Sequence, residues 1–249
     1  LHDALPIFKN HYISQTAISI VSATEWQYRL GLTSLLFKEK AMDKILLSVD
    51  PMLFNYVPKD AAKKKYGIPE NKKVIFFGSA FLNERRKGMK YLIDALKKMR
   101  EHTEINKENI LLLIAGNDFE LIKSEIPFEY KYLGLLANNE ELAEAFQASD
   151  IYVCPSIEDS GPMMINQAIM CGIPSVTYNM GVAMDLVING STGYRAKLMD
   201  TDDLALGITN LLKLDQVTYE TYSKNCRELA LSSFTPDVQI EKFEKLFMQ

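Results

Sequence analysis

Short apolar segments alternate with amphipathic segments along most of the 249-residue chain. Leu92, Ile93 and Leu96 recur at helical spacing in the segment 88–99, and the segment 138–150 has a similar apolar stripe. The apolar segments with the length and composition of strands are 17–22, 44–49, 73–78, 109–116, 131–134, 150–155, 174–178 and 193–197. Strands that alternate with helices predict an α/β fold, with a parallel sheet covered by helices on both faces.

The order of these elements predicts three parts of the chain. Between residues 73 and 212 the alternation is regular and predicts one Rossmann-like, doubly wound lobe. The charged segment 58–73, bracketed by prolines, is the most linker-like part of the sequence. We therefore expect a remnant of a preceding lobe at 1–58, the doubly wound lobe at 59–230 and a C-terminal helix at 231–249 that must pack on another element.

Composition and charge narrow the function. The chain has 28 basic and 32 acidic residues, and this balance gives no general attraction to nucleic acid or to an anionic membrane. Its three cysteines have no metal-ligand spacing and no pattern of a disulfide framework, so we expect a reduced, cytoplasmic protein without a metal site. No apolar run has the length that crossing a bilayer requires.

The first residues, LHDALPI, have neither an initiator methionine nor the profile of a signal peptide. We therefore expect that the chain is truncated at its N-terminus. A preceding lobe, with the catalytic groups that it carries, would then be largely missing.

The loop after the predicted strand 150–155 has the features of an anion site. Open α/β sheets bind ligands at the carboxyl ends of their strands. Asp159 or Ser160 can cap the helix that follows, Pro162 suits its first turn, and Gly161 lets a ligand approach the backbone. The free amides at this helix end attract a phosphate or diphosphate. The alternative is that Asp159 only caps a buried helix.

A second loop with anion-binding character follows the strand 73–78. It carries Arg85, Arg86 and Lys87 immediately before Gly88, where a helix is predicted to begin. A solvated basic surface is the alternative for such a run. Neither loop matches the glycine patterns of dinucleotide-binding folds or of P-loop proteins, so a phosphate would be held in another way.

Five motifs follow one another in the chain: RKG at the start of a helix, YLG, EELAEAFQASDIYVCPS, EDSGPMMINQAIMCGIPSV and NGSTGY. Their order resembles the donor-binding lobe of glycosyltransferase family 4, which consists of retaining enzymes of GT-B fold. The resemblance covers roughly 14–230, and an upstream stretch places Asp50 and Phe54 on the family's Asp and Phe. It implies a GT-B-type α/β fold with one Rossmann-like lobe and a remnant of the lobe before it.

The family has two glutamates eight positions apart in this loop and helix, the first near the donor sugar and the second at the nucleotide ribose. The matching residues here are Asp159 and Gln167. Asp159 keeps a carboxylate with a shorter reach, and the neighbouring Glu158 is an alternative to it. Gln167 can bind ribose hydroxyls without a charge-assisted hydrogen bond.

The family's cationic pair at the diphosphate is retained in part. Ser79 stands where the family usually has an arginine, while Lys87 matches the family lysine, and we expect Arg86 to compensate. Gly134 and Leu135 match the segment whose backbone reads the base in the family, although Leu135 could equally be a core residue.

The resemblance therefore implies a set of site residues without a metal or a further cofactor. We expect Asp159, Lys87 and Arg86 to be catalytic. We expect the donor to be bound by Gly78, Ser79, Gly88, Gly134, Leu135, Glu158, Ser160, Gly161, Pro162, Met163, Met164 and Gln167.

The implied activity is transfer of a sugar from a nucleoside diphosphate sugar to an acceptor hydroxyl with retention. We expect a hexosyltransferase of polysaccharide or envelope glycan synthesis whose present chain is inactive alone. Its partners would be a glycan or lipid-linked acceptor, no nucleic acid, and a membrane contacted peripherally through the missing lobe. Two alternatives stay open, a non-catalytic nucleotide-sugar-binding module and a nucleotide-sugar epimerase of the same fold.

Overall fold

The computed structural model describes residues 5–101 and 106–248. Its strands are β1 (Ser19–Ser22), β2 (Ala41–Lys44), β3 (Lys73–Phe81), β4 (Ile110–Asn117), β5 (Glu129–Tyr132), β6 (Ile151–Cys154), β7 (Ser175–Tyr178) and β8 (Gly193–Ala196). Its α-helices are α1 (Leu5–Ser14), α2 (Glu25–Thr33), α3 (Lys59–Lys65), α4 (Met89–Glu101), α5 (Asn139–Gln147), α6 (Met163–Met170), α7 (Ala183–Leu186), α8 (Thr201–Leu212), α9 (Gln216–Ser233) and α10 (Pro236–Phe247).

Strands β3 to β8 form a six-stranded parallel sheet in the order β5-β4-β3-β6-β7-β8. The predicted α/β fold is therefore confirmed. The chain builds outward from β3 through β4 to β5, and then continues on the other side of β3 through β6 to β8. The direction of winding reverses between β3 and β6, and this is where open α/β sheets bind their ligands.

The sheet has a separate apolar core on each face. Along β3, Val74 and Phe76 pack in one core, while Ile75 and Phe77 pack in the other. Side chains of a strand alternate between the two faces, so a strand buried on both sides requires a continuous apolar sequence. This requirement explains why β3 and β4 were recognisable as unbroken apolar runs.

Helix α4 confirms the periodicity seen in the sequence. Its predicted stripe consists of Met89, Leu92, Ile93, Leu96 and Met99, and all five side chains are buried against the sheet. The charged residues of α4 lie between these positions and face outward. The amphipathic pattern therefore fixes which side of the helix meets the sheet.

The strand predicted at 44–49 was wrong in its position. Strand β2 occupies Ala41–Lys44 and pairs in parallel with β1, while residues 45–49 follow as an irregular extended segment. The backbone amide of Val49 donates to the carbonyl of Phe234 at 3.0 Å, which places this segment against the end of α9. Ile45, Leu46 and Val49 are buried while Leu47 is exposed, and this short run of apolar residues gives the same sequence pattern as a strand.

Part of the segment interpreted as a linker is the helix α3. The side chain of Lys63 is buried, and its Nζ lies 3.0 Å from Oδ2 of Asp150 and donates to the carbonyl of Lys72 at 2.7 Å. This pairing ties α3 to the beginning of β6. The ion pair accounts for the buried Lys63, while several other charged residues of the segment are exposed. The division of the chain at residue 58 stays a prediction.

Helix α10 packs on the extended segment through polar contacts. The Nε2 atom of Gln239 donates to the carbonyl of Leu46 at 2.9 Å, and the hydroxyl of Ser48 donates to Oε1 of Gln239 at 2.8 Å. Ile240 and Phe247, two residues of its apolar stripe, are exposed. No helix in the described ranges combines the length and apolar composition needed to cross a membrane.

Candidate functional site

A pocket of about 510 Å³ lies at the reversal point of the sheet, between the carboxyl ends of β3 and β6. Two loops close it. We name the first, residues 82–88, the cation loop, and the second, residues 155–162, the carboxylate loop. The pocket is lined by Phe77, Gly78, Ser79, Ala80, Phe81, Glu84, Arg86, Lys87, Tyr152, Cys154, Ser156, Pro162, Met163 and Met164.

The cation loop ends in a conformation that requires glycine. Arg85–Lys87 form one turn of 3-10 helix, and Gly88 follows with a φ of 78° before α4 begins. A Cβ atom at Gly88 would lie 1.8 Å from the carbonyl oxygen of Pro155. Gly88 is therefore needed both for its left-handed backbone and for the close approach of the two loops.

A backbone hydrogen bond joins the two loops. The amide of Ile157 donates to the carbonyl of Arg86 at 2.9 Å. Together with the contact between Gly88 and Pro155, this bond fixes the side chains of Lys87 and Asp159 on facing loops. The two loops that the sequence marked as anion-binding therefore lie side by side, and their charged side chains meet.

The charged centre of the site is an ion pair. Nζ of Lys87 lies 2.5 Å from Oδ2 of Asp159, and NH1 of Arg86 lies 3.5 Å from the same oxygen. Nε of Arg86 also lies 2.5 Å from Oε1 of Glu84. Only 11% of the Asp159 side chain is exposed. Two cations thus converge on one carboxylate, and an anionic ligand entering the pocket would compete with Asp159 for both.

The expected cap of α6 by Asp159 or Ser160 was wrong. Pro162 occupies the N-cap position without a side-chain hydrogen bond, and α6 begins at Met163 rather than at the proline. The second carboxylate oxygen of Asp159 instead accepts from the amide of Gly161 at 3.2 Å. The carboxylate of Asp159 therefore pairs with Lys87 and with the amide of Gly161, and it does not cap α6. The first amides of a helix have no acceptor within it, and the pocket-lining Met163 and Met164 lie in this first turn.

Gly78 and Ser79 line the opposite wall of the pocket at the end of β3. A Cβ at Gly78 would lie 2.9 Å from Cε of Met164, so the absence of a side chain there lets α6 approach the strand. The hydroxyl of Ser79 donates to the carbonyl of Phe81 at 3.1 Å. This position therefore presents a small polar group where the related family usually has a cation.

The remaining candidate residues lie on α6, on the carboxylate loop beside Asp159, and shortly after β5. Gln167 lies on α6 and is half-buried, while Glu158 and Ser160 are exposed on the carboxylate loop. Gly134 follows β5 with a φ of 73°, and its carbonyl accepts from the amide of Gly116 at 2.8 Å. Leu135 is 54% exposed, so the core alternative for it was wrong. Within the described chain, these five residues lie outside the lining of the pocket.

Some pocket residues were missed by the sequence interpretation. Phe81 is half exposed at the end of β3, Glu84 pairs with Arg86, and Tyr152 and Ser156 form the wall from β6. Phe81 lies three positions after the predicted end of the strand at residue 78, and an apolar residue there is a signal that could have indicated it. Nothing in the sequence indicates that Glu84 binds a cation two positions away, since that depends on the 3-10 turn.

A larger cavity, of about 770 Å³, lies at the opposite edge of the sheet, where β3 and β6 begin. Lys59, Lys63 and Asp150 meet in it. Burial lowers the pKa of Lys59 to about 8, while the charge of Asp150 raises it. Because these groups are paired with one another and the cavity lies at the amino edge of the sheet, we assign the site to the smaller pocket.

The cysteines are free and buried, as expected for small apolar residues. Burial raises the pKa of the Cys154 thiol in the wall of the pocket, so this thiol is protonated at neutral pH. The Cys154 side chain therefore forms part of the pocket wall and does not act as a nucleophile. The cytoplasmic location inferred from the cysteines stays a prediction.

Comparisons with known proteins identify the family to which the chain is similar. The family model described as "Glycosyl transferases group 1" matches residues 58–229. The chain is 26% identical over 189 residues to N-acetyl-alpha-D-glucosaminyl L-malate synthase of Bacillus anthracis. This alignment covers 74% of this chain and 48% of that protein. It is 24% identical over 228 residues to UDP-Gal:alpha-D-GlcNAc-diphosphoundecaprenol alpha-1,3-galactosyltransferase of Escherichia coli. This alignment covers 81% of this chain and 56% of that protein.

A solved structure shows the same fold. HepE from Anabaena, in complex with UDP and glucose, matches with a TM-score of 0.76 and 18% identity, over 100% of this chain and 68% of that chain. Likeness at this level of identity shows the fold alone. The chain spans about half the length of the curated relatives it matches.

Proposed function

Because the chain belongs to the glycosyl transferases group 1 family, we propose that its pocket binds a UDP-sugar as donor substrate. The α/β lobe is of the GT-B type, as the motifs implied. We further propose that the chain is the donor-binding part of a retaining hexosyltransferase. The observation that carries the proposal is the Lys87–Asp159 ion pair at the reversal point of the sheet, where an anion has a prepared pair of cations.

The diphosphate is the part of the donor that fits the charged centre. Lys87 and Arg86 present an ammonium and a guanidinium on one loop, and the first residues of α6, Met163 and Met164, line the same pocket. When the bond to the sugar breaks, negative charge grows on the departing diphosphate. Fixed cations and amides stabilise that charge without reorganisation, and in our proposal no metal ion is required.

The remaining donor contacts are assigned by the family resemblance. Asp159 would orient the sugar hydroxyls, and Gln167 would bind the ribose. Gly134 and Leu135 would contact the base, and the exposure of Leu135 supports this role over a core role. UDP is favoured as the nucleotide because the names of the E. coli relative and of the Anabaena structure both include it.

The acceptor is proposed to be a hydroxyl of a glycan or of a lipid-linked sugar. Its support is the name of the E. coli relative, whose acceptor is a sugar linked to diphosphoundecaprenol. A role in polysaccharide or envelope glycan synthesis is proposed on the same ground. Since the curated relatives are about twice as long, we propose that the 249-residue chain binds the donor without transferring the sugar by itself.

Calorimetric titration of the chain with UDP, GDP and ADP in buffer containing a chelator tests the proposal. We expect UDP to bind most tightly, and Lys87→Ala to weaken its binding by about tenfold, the loss of one charge-assisted hydrogen bond. Gln167→Ala should weaken UDP binding while leaving inorganic diphosphate binding unchanged. Lys90→Ala is the matched control, since Lys90 carries the same charge on the exposed side of α4.

Failure of all three nucleotides to bind a folded chain would overturn the proposal. Equal weakening by Lys87→Ala and Lys90→Ala would also count against it, because the effect would then follow net charge alone. Conversion of the UDP-sugar in the absence of an acceptor would favour the epimerase alternative.

A further inference from the structure

The first turn of α2 contacts the carboxylate loop directly. The hydroxyl of Thr24 donates to the carbonyl of Ser160 at 3.0 Å and accepts from the amide of Gln27 at 3.2 Å. Only 1% of Thr24 is exposed. One hydroxyl therefore caps α2 and holds the backbone of the residue that follows Asp159.

The methyl group of Thr24 makes a second contact with the same loop. A Cβ at Gly161 would lie 3.1 Å from Cγ2 of Thr24, so the glycine backbone packs against this methyl group. Gly161 also donates its amide to Oδ1 of Asp159. Thr24 thus touches both residues that complete the turn around the Asp159 carboxylate.

Asp185 holds α2 in place from the other side. Its side chain is 5% exposed, and Oδ2 accepts from the amide of Glu25 at 2.8 Å while Oδ1 lies 2.7 Å from Nζ of Lys44. Asp185 lies in α7, and the turn before α7 packs on the carboxylate loop, because a Cβ at Gly181 would lie 2.8 Å from the carbonyl oxygen of Asp159. The loop is therefore held between α2 and the turn before α7.

We infer that Thr24 is a positioning residue that sets the place of the Asp159 carboxylate opposite Lys87, with Asp185 keeping α2 in position for this contact. The inference rests on the proposed function for its consequence in donor binding. In structural terms, β1, α2 and β2 form a unit that contacts the carboxylate loop through Thr24 at the start of α2. A displacement of this unit would move Ser160, and with it Asp159, relative to the cations.

Hydrogen exchange of the chain without nucleotide, followed by titration with UDP, tests the inference. Thr24→Val keeps the shape of the side chain and removes both hydrogen bonds. We expect exchange of the amides at 157–164 to rise by about tenfold and UDP affinity to fall by about fivefold, effects of the size of one hydrogen bond. Thr24→Ser retains the hydroxyl and loses only the methyl contact, so it should restore most of the change in both values.

Thr235→Val is the matched control, because Thr235 caps α10 through its hydroxyl and lies outside the pocket lining within the described residues. It should leave the exchange of the carboxylate loop and the affinity for UDP unchanged. Asp185→Ala provides a second variant should Thr24→Val fail to fold, and it should reproduce the faster loop exchange.

The outcomes separate this inference from the proposed function. Unchanged exchange at 157–164 in Thr24→Val, or no rescue by Thr24→Ser, would overturn the positioning role whether or not UDP binds. If the wild-type chain binds no UDP while the exchange results are as expected, the proposed function fails and the coupling of Thr24 to the loop stands.

Discussion

The Nζ atom of Lys87 lies 2.5 Å from Oδ2 of Asp159, across two loops that come from neighbouring strands of the sheet. In sequence the two residues are 72 positions apart. Each charge is the counter-ion of the other. In the proposed donor complex, a diphosphate oxygen would take the position on Lys87 that Asp159 occupies, so donor binding would require this pair to rearrange.

The first prediction follows from that competition. Asp159→Asn removes the charge that competes for Lys87, and we expect the affinity for UDP to rise by about tenfold, equivalent to about 1.4 kcal/mol. The gain should be smaller for UDP-glucose, because the carboxylate proposed to orient the sugar is lost as well. Calorimetry with both ligands measures the difference.

Asp237→Asn is the control for the change in net charge, since Asp237 is exposed in the first turn of α10. It should leave UDP binding unchanged. Weaker UDP binding by Asp159→Asn would mean that the carboxylate supports the nucleotide directly and does not compete with it. The gain should also shrink as salt is raised, because mobile ions screen partly exposed charges.

The elements of the fold were largely predictable because their signals are local. The stripe of α4 and the continuous apolar sequence of β3 each follow from a single periodicity. The segment 45–49 misled the prediction, because Ile45, Leu46 and Val49 are buried without pairing in a sheet and leave the same apolar pattern as a strand. Local patterns show that a residue is buried without showing which element buries it.

The site was predictable only where a motif marked it. Arg86, Lys87 and Asp159 could be assigned from the two loops, and the structure brings them together. The contact between Thr24 and Ser160 joins residues 136 positions apart, and both are common capping or loop residues. No periodicity or spacing relates them, so this contact depends on how the first part of the chain packs on the sheet.

The second prediction concerns the close approach of the two loops. Gly88→Ala would place a Cβ 1.8 Å from the carbonyl oxygen of Pro155 and force a left-handed backbone on alanine. We expect a loss of at least about 3 kcal/mol in the free energy of unfolding, from strain and from displacement of the loops. Urea denaturation of the chain measures this loss, and UDP binding should weaken as the loops separate.

Gly67→Ala is the matched control for backbone strain alone. Gly67 has a φ of 64°, and a Cβ there would meet no atom within 4 Å. Its replacement should cost about 1 kcal/mol, the strain of a left-handed alanine. Equal losses in the two variants would show that the contact with Pro155 does not determine the requirement for glycine at position 88.

The third prediction concerns Arg227, which joins the segment after residue 49 to the lobe. NH1 donates to the carbonyls of Phe54 at 2.7 Å and Met170 at 2.5 Å, and NH2 donates to the carbonyl of Pro51 at 2.9 Å. Arg227→Met keeps the apolar stem but leaves these carbonyls without their donor. We expect a loss of about 3 kcal/mol in stability by denaturation, whereas Lys224→Met on the exposed side of α9 should change it by less than about 0.5 kcal/mol.

The fourth prediction concerns Asp150, the buried counter-ion of Lys63 and Lys59. Asp150→Asn leaves two buried ammonium groups without a carboxylate, and we expect a loss of about 3 kcal/mol in stability at neutral pH. Replacing both members of the pair, as in Asp150→Asn with Lys63→Met, should recover part of this loss. A double-mutant cycle from urea denaturation measures the coupling.

The stabilisation that Asp150 provides should depend on pH, because folding lowers the pKa of its carboxyl group. Burial raises the pKa of Asp150, but the charges of Lys59 and Lys63, together with hydrogen bonds from the Val74 amide and from Lys63, hold the pKa below its ordinary value. A carboxyl whose pKa is lowered by folding contributes stability above its unfolded pKa of about 3.9, and that contribution is lost as the pH falls through the folded value. The stability difference between wild type and Asp150→Asn should therefore shrink below about pH 4. A difference that stays constant down to about pH 2 would mean that the carboxylate is not held by the lysines.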